Sequence, residues 1–497
     1  MNYTSTRNKS ASVSSARAIV QGLSQEGGLF VPCSLPRLAP EQLADLAKQD
    51  YITRACRILA SFLTDFTPEE LQSCIAGAYG EGFDDPAVAP LTRLGERTYL
   101  LELWHGPTAA FKDMALQLLP HLMTTAAKKA GEERTIVILV ATSGDTGKAA
   151  LEGFKDVDGT KIVVFYPQDG VSPMQKLQMV TQEGGNVAVC GIEGNFDDAQ
   201  NGVKAIFGNG EAASRLSEAG MVLSSANSIN WGRLVPQIVY YVSAYCDLLA
   251  EGEIAPGETV NVTVPTGNFG NILAAYYARE MGLPIGRLIC ASNRNNVLTD
   301  FLTTGVYDRN RDFFATSSPS MDILISSNLE RLLYHLSGED DALVAGLMQE
   351  LARQGRYQVP DALFEKLKDI FWGGYCDDAR AAQTIRTVFD EYSYLPDTHT
   401  AVALAVYADY AAATGDQTKT IVASTANPYK FSGSVLAALD PSATGGEFEL
   451  VQALAGRSGF PVPASLSGLA DKAVRFQASC HRDDMLGYLF EQLGVKP

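Results

Sequence analysis

Short apolar runs recur along the chain, each followed by a loop rich in Gly, Ser, Thr or Asn and then by residues at helical spacing. They are TIVILVATSGDTGKAA (135–150), KIVVFYP (161–167), NVAVCGIEG (186–194), MVLSSANSINWGR (221–233), VNVTVPTGNFGN (260–271), RLICASN (287–293) and KTIVASTANP (419–428). Strands that alternate with helices predict an α/β fold whose parallel or mixed sheets are covered on both faces. In such folds ligands bind beyond the carboxyl ends of the strands. Four strand-end loops carry polar residues suited to chemistry: TSGDTG, NSINWGR, PTGNFGN and STANP. Polar residues are ordinary in loops, so each loop taken alone is weak grounds for a site. Residues 1–95 and the stretch near 326–392 show mainly helical spacing and no strand-loop chemistry. The pattern predicts an N-terminal helical segment (1–95) and a smaller α/β domain (96–233) carrying Lys112 and TSGDTG. A larger α/β domain (234–497) carries PTGNFGN and STANP, with a helical insertion near 326–392, and the site lies in the cleft between the two.

A length of 497 residues agrees with roughly two to three domains. Hydrophobic content of 46% and charged content of 19% are those of a globular protein able to bury large cores. The net charge of -18 argues against a nucleic-acid or anionic-membrane surface, but it leaves room for a small basic pocket. No apolar run reaches the roughly 18 residues needed to span a bilayer. Eight cysteines are scattered without CxxC pairs, and five histidines are equally dispersed, so neither a disulfide framework nor a metal site is expected. The first 25 residues carry Arg7, Lys9 and Arg17 and no acid, a faint likeness to an organelle transit peptide. Ala18, Ile19, Val20 and Leu23 begin a helical pattern, so an ordered N-terminal segment and a cytoplasmic protein are the expectation.

Lys112 stands in HGPTAAFKDMALQLL. Pro107 and Thr108 read as a helix start with Thr108 as N-cap, which puts Lys112 in the first turn. A cation there opposes the helix dipole, and burial would lower its pKa toward the free amine that attacks carbonyls. An ordinary solvated lysine is the plain alternative. TSGDTG (Thr142, Ser143, Gly144, Asp145, Thr146, Gly147) follows a strand and precedes a helix, and its hydroxyls and amides can hold a carboxylate. It is no Walker loop: Thr142 stands where glycine is required, and Ala149 follows Lys148. A helix-capping turn is its plain alternative. PTGNFGN lacks the dinucleotide GxGxxG pattern, but Gly267 and Gly270 allow a tight curl before a helix N-terminus, an anion nest suited to a phosphate. Arg233, six residues after Asn227, could fork onto a phosphate or carboxylate. Thr425 in STANP offers a neutral hydroxyl to a ring nitrogen. A lysine and a distant phosphate cradle together suggest one cofactor, pyridoxal phosphate, held at both ends.

These segments, in order and spacing, resemble the threonine synthase family, pyridoxal-phosphate enzymes of the tryptophan-synthase-β-like fold. The likeness runs nearly the whole length. It begins at AIVQGLSQEGGLFVP (18–32) and continues through HGPTAAFKD, TSGDTG, NSINWGR, PTGNFGN, SPSMDI (318–323), DTHTA (397–401) and STANPYKF (424–431). The resemblance implies that Lys112 forms an imine with pyridoxal 5'-phosphate, flanked by Phe111 and Asp113. It implies that Gly267, Asn268, Phe269, Gly270 and Asn271 bind the cofactor phosphate and that Thr425 contacts the pyridine nitrogen. Thr142, Ser143, Gly144, Asp145 and Thr146 would grip the substrate α-carboxylate, and Asn227, Ser228 and Arg233 its phosphate. Asn427 departs from the family, which commonly has histidine there, and this puts the surroundings of Thr425 in doubt more than the reaction.

The implied reaction is that of a carbon-oxygen lyase, turning O-phospho-L-homoserine and water into L-threonine and phosphate as the last step of threonine biosynthesis. Lys112 would act as general base at Cα and then Cβ. A related lyase that releases a 2-oxo acid and ammonia shares every motif named, and a non-catalytic phosphometabolite-binding protein is the alternative from another class. The expected partner is a small molecule, not nucleic acid or membrane, with the chain a monomer or homodimer.

Overall fold

The computed structural model of the chain describes residues 1–142, 144–168 and 171–496. Two sheets organise it. The larger has six strands in the order Phe371–Tyr375, Ile285–Ser292, Val260–Pro265, Thr420–Ser424, Thr98–Glu102 and Leu91–Leu94. All neighbours in it run parallel except the last pair, which is an antiparallel hairpin. The smaller has five parallel strands in the order Ser479–His481, Val187–Glu193, Thr160–Pro167, Thr135–Ala141 and Met221–Ser224. The central strands read VNVTVP, TIVAS and TIVILVA, and their side chains are almost all buried. β-branched residues suit strands covered on both faces. The covering helices are correspondingly apolar: Pro236–Ala250, Gly270–Glu280 and Thr398–Thr414 bury most of their length.

The α/β class follows the reading of the sequence, but the sheets do not follow its boundaries at 96 and 233. Thr98–Glu102 pairs with Thr420–Ser424, so the segment that carries Lys112 leaves the larger sheet. Ser479–His481 pairs with Val187–Glu193, so the last part of the chain completes the smaller one. Parallel sheets are ordered by pairing and not by chain order, and neither partnership leaves a local trace.

Residues 1–95 are not mainly helical at their start. Asn2–Ser5, Asn8–Ser14 and Phe30–Pro32 form an antiparallel sheet, with helix Ser15–Gln21 between them and ending at Gly22. The stretch 326–392 likewise contains two strands. Arg356–Gln358 pairs with Val306–Asp308, and Phe371–Tyr375 forms the outer edge of the larger sheet. Among the described residues, no helix is long and apolar enough to cross a membrane.

Candidate active site

Loops from the carboxyl ends of both sheets meet at Lys112. HGPTAAFKD leaves strand Thr98–Glu102, and STANPYKF leaves its neighbour Thr420–Ser424. The two loops are joined backbone to backbone. The Phe111 N–H donates to the Thr425 carbonyl at 2.8 Å and the Asn427 N–H to the Ala109 carbonyl at 3.0 Å, and Ala110 bridges Ala426. Lys112 is thereby fixed beside Thr425, which is itself buried.

Thr108 does not cap a helix. Its N–H and Oγ1 both donate to the buried Asp113 carboxylate, at 2.8 and 2.7 Å, and this closes the loop ahead of a short helix, Asp113–Leu116. Lys112 is the residue before that helix, and Leu119 starts the next one. Burial pushes the Asp113 carboxyl up to about 6, against the Thr108 hydrogen bonds. Asp113 therefore braces the loop from behind. The Phe111 ring lies 5.7 Å from the Lys112 amine.

Lys112 is 9% exposed, and its amine donates to Ser320 Oγ at 3.1 Å. Ser320 Oγ donates in turn to Asp145 Oδ2 at 3.1 Å, and Lys112 Nζ itself lies 3.7 Å from that oxygen. Burial pushes the Lys112 amine down to about 8; Asp145 opposes the shift, while Arg233 and Lys430 add to it.

Asp145 opens helix Asp145–Phe154 after a loop that turns at Gly144, whose φ of 138° is left to glycine. Thr142 Oγ1 accepts from the N–H groups of Gly144 and Gly147 at 3.0 and 2.9 Å, so this hydroxyl holds the loop together. The Asp145 carboxylate pairs with Lys430 at 2.9 Å and accepts from Gln175 at 2.9 Å. Burial works against its charge, but Lys430 and Lys112 outweigh burial and hold the carboxyl well below its usual range. Thr146 is half-buried. Ser143 lies outside the described residues.

PTGNFGN gives helix Gly270–Glu280 its start. Phe269, though not glycine, takes a left-handed φ of 63°, and its buried ring packs 5.7 Å from that of Phe371. Such backbone strain persists only where the surroundings impose it. Phe269 can thus serve a ligand through its backbone. A methyl group on Gly267 would meet the Ser320 carbonyl at 2.7 Å, which makes glycine necessary there. Asn271 Oδ1 accepts from both Tyr240 and Tyr241 hydroxyls, while its buried Nδ2 has no partner. Asn268 is exposed, with its carbonyl accepting from Asn328. The first N–H groups of a helix are unsatisfied, and its dipole favours an anion there.

NSINWGR adjoins this cradle. Gly270 is close enough to Ser228 that an added methyl group would lie 3.4 Å from the Ser228 Cβ, and Ser228 Oγ accepts from Asn328 at 2.9 Å. Asn227 is half-buried. Arg331, fully buried, braces the loop through the Ser228 and Ile229 carbonyls. Arg233 is also buried and donates to the Ala226 carbonyl at 2.8 Å. No carboxylate pairs with it among the described residues, and burial pushes its guanidinium down to about 10.

Sequence reasoning singled out neither Ser320 nor His399, although SPSMDI and DTHTA were legible as motifs. His399 Nδ1–H donates to Asp397 at 2.7 Å, and Nε2 accepts the Ser320 backbone N–H at 3.2 Å. Lys430 was missed as well. Asn427 now has a role: its Oδ1 accepts the Tyr429 N–H and caps the turn Pro428–Phe431 that carries Lys430. A cavity of about 500 Å³ near Tyr166, Met174, Phe448 and Phe476 contains none of these groups.

A buried reactive amine, a helix-start nest and an orphaned amide donor beside it fit pyridoxal phosphate. Comparison with known proteins agrees with that fit. The family model described as pyridoxal-phosphate dependent enzyme matches residues 86–425, which include the loops above, with STANPYKF only as far as Thr425. Models for the threonine synthase N terminus and C-terminal region match residues 2–79 and 400–483. A threonine synthase from Pseudomonas aeruginosa is 40% identical over 81% of this chain and 83% of its own. The crystal structure of a PLP-bound threonine synthase from Brucella melitensis superposes with a TM-score of 0.86, at 38% identity and 99% coverage of both chains. Human threonine synthase-like 1 is 43% identical over 85% of this chain, which spans 58% of that protein's length. The chain belongs to the threonine synthase family of pyridoxal-phosphate dependent enzymes.

Proposed function

We propose that this protein converts O-phospho-L-homoserine and water to L-threonine and phosphate, with pyridoxal phosphate attached at Lys112. The observation that carries the reading is a single constellation. A buried lysine with a lowered pKa lies close to a buried arginine that has no acidic partner among the described residues, and loops of the same fold form a helix-start nest whose Asn271 amide has no partner among them. The relatives named threonine synthase support it.

When bound, the cofactor supplies an electron sink for carbanions formed on the substrate. Gly267, Asn268, Phe269, Gly270 and Asn271 hold its phosphate through backbone N–H groups and Asn271 Nδ2. Thr425 offers its ring nitrogen a neutral hydroxyl, Phe111 flanks it, and Asp113 keeps the loop in place. Arg233, Asn227 and Ser228 hold the substrate phosphate and stabilise it as it leaves Cγ. The loop Thr142 to Thr146 receives the α-carboxylate through its N–H groups, and the two lysines on Asp145 cancel the charge that would repel it. Lys112, freed when the substrate amine takes its place on the cofactor, would remove the proton at Cα and then one at Cβ. An amine titrating near 8 is suited to that task at neutral pH. A proton would then be delivered to Cγ, water would add at Cβ, and a proton returned to Cα would complete threonine. All eight cysteines are free thiols, which supports a cytoplasmic location.

The test is a product assay on protein loaded with pyridoxal phosphate. Threonine and phosphate in equal amounts are expected from O-phospho-L-homoserine. Release of 2-oxobutanoate and ammonia in place of threonine would exclude the hydration step, and a protein that takes up no cofactor would exclude the whole reading.

A further inference from the structure

Lys430 is a buried cation in the same cluster as Lys112, and its effect on the Lys112 amine is separate from the offsetting of charge beside the substrate carboxylate. Its ammonium group is wholly enclosed and donates to the Thr108 carbonyl at 2.7 Å and to Gln178 Oε1 at 3.3 Å, while pairing with Asp145 at 2.9 Å. Thr108 belongs to the loop that carries Lys112, and Asp145 is the carboxylate nearest to the Lys112 amine. Lys430 is therefore tied both to the backbone and to the counterion of Lys112. Gln175 and Gln178, on helix Pro173–Val180, complete the enclosure.

The charges facing Lys112 come from three elements. Asp145 stands at the start of helix Asp145–Phe154, Lys430 on the turn Pro428–Phe431 and Arg233 on helix Trp231–Leu234. Asp113 turns away to Thr108. His399, with Asp397 behind it, meets Ser320 at its backbone N–H. Among the described residues Asp145 is thus the one anion in the cluster that contacts the amine, and an isolated carboxylate so close would hold the lysine protonated. A protonated lysine cannot take a proton from carbon. Lys430 sits nearer to Asp145 than Lys112 does, at 2.9 against 3.7 Å.

We propose that Lys430 is a positioning residue that neutralises Asp145, so that this carboxylate orients the Lys112 amine through Ser320 without locking it as an ammonium ion. The proposal rests on the reading of Lys112 as the base. Its test reads the Lys112 amine itself, so it can fail while that reading stands.

The experiment is trace acetylation with acetic anhydride, which attacks only the neutral amine, on the full chain freed of cofactor. The label on the Lys112 peptide is measured by mass spectrometry between about pH 6 and 10. The unaltered protein should show a midpoint near 8. Lys430→Met should raise the midpoint by about one unit or more, because Asp145 then answers to Lys112 alone. Asp145→Asn should lower it, and Lys430→Arg should leave it close to its starting value. A folded Lys430→Met protein with an unchanged or lowered midpoint would show that Lys430 merely fills space, and would overturn the proposal. Lys430→Gln, which keeps a hydrogen-bond donor, replaces the methionine variant if that one does not fold. Should neither fold, Lys430→Met combined with Asp145→Asn decides: a midpoint above that of Asp145→Asn alone supports the proposal, and one equal to it refutes it.

Discussion

Thr142–Gly147 and Pro265–Asn271 are written alike. Each is a glycine-bearing turn between a buried parallel strand and a helix, and each should attract an anion at the helix start. The structure makes them opposites. The first carries its own anion, Asp145, in the first helical turn, and that carboxylate is already matched by Lys430 and Lys112. The second has no acid and leaves the Asn271 amide unpaired beside the strained Phe269. One turn holds cations around a built-in anion, beside the place proposed for the substrate carboxylate, and the other leaves a helix start with no acid, which suits the proposed phosphate. Side chains at the first helical positions decide which role the shared backbone plays.

The largest effect should come from removing the built-in anion. Asp145→Ala leaves the buried Lys430 ammonium group without its counterion, which should cost about 3–5 kcal/mol. Chemical denaturation would measure it, and a loss below about 1 kcal/mol would show that the pair contributes little. Lys112→Ala should abolish turnover while the fold survives, since Asp145 keeps Lys430. Thermal unfolding set beside the product assay separates the two effects, and normal turnover would remove Lys112 from the chemistry.

Arg233→Ala comes next. It should weaken the phosphorylated substrate by about 1.5–3 kcal/mol, with much less effect on pyridoxal phosphate affinity. Equal losses would place Arg233 at the cofactor phosphate, which is a sharp question because Ser228 of the same loop adjoins Gly270. The smallest effect should be Thr425→Ser, which loses only a methyl group and should keep most of the activity, while Thr425→Asp should favour side reactions such as transamination. If the two variants behave alike, Thr425 does not face the ring nitrogen.

Much of this was legible in the chain. Runs of Val and Ile marked the central strands, and the order of loops marked the residues that gather at Lys112. What escaped had no local signal. Thr98–Glu102 and Ser479–His481 join sheets through partners hundreds of residues away, and Ser479–His481 is three residues long. The serine- and threonine-rich start of the chain gave no alternating pattern, yet Tyr3 anchors its strand in the core with a hydroxyl bond to the Phe62 carbonyl. Lys430 reads as a surface lysine until the fold places Asp145 against it. Thr108 had the right residue type for a helix cap, but Asp113 took both of its donors. Ser320 and His399 lay in visible motifs, and only the approach of Gly267 to the Ser320 carbonyl and the bond from Ser320 to Lys112 show their purpose.

Of the two lysines on one carboxylate, Lys112 alone should bond the cofactor. Borohydride reduction of the full chain loaded with pyridoxal phosphate, followed by peptide mass spectrometry, tests it directly. A stoichiometric pyridoxyl group on Lys112 and an unmodified Lys430 are expected. A pyridoxyl group on Lys430 or on any other lysine, with Lys112 unmodified, would contradict it.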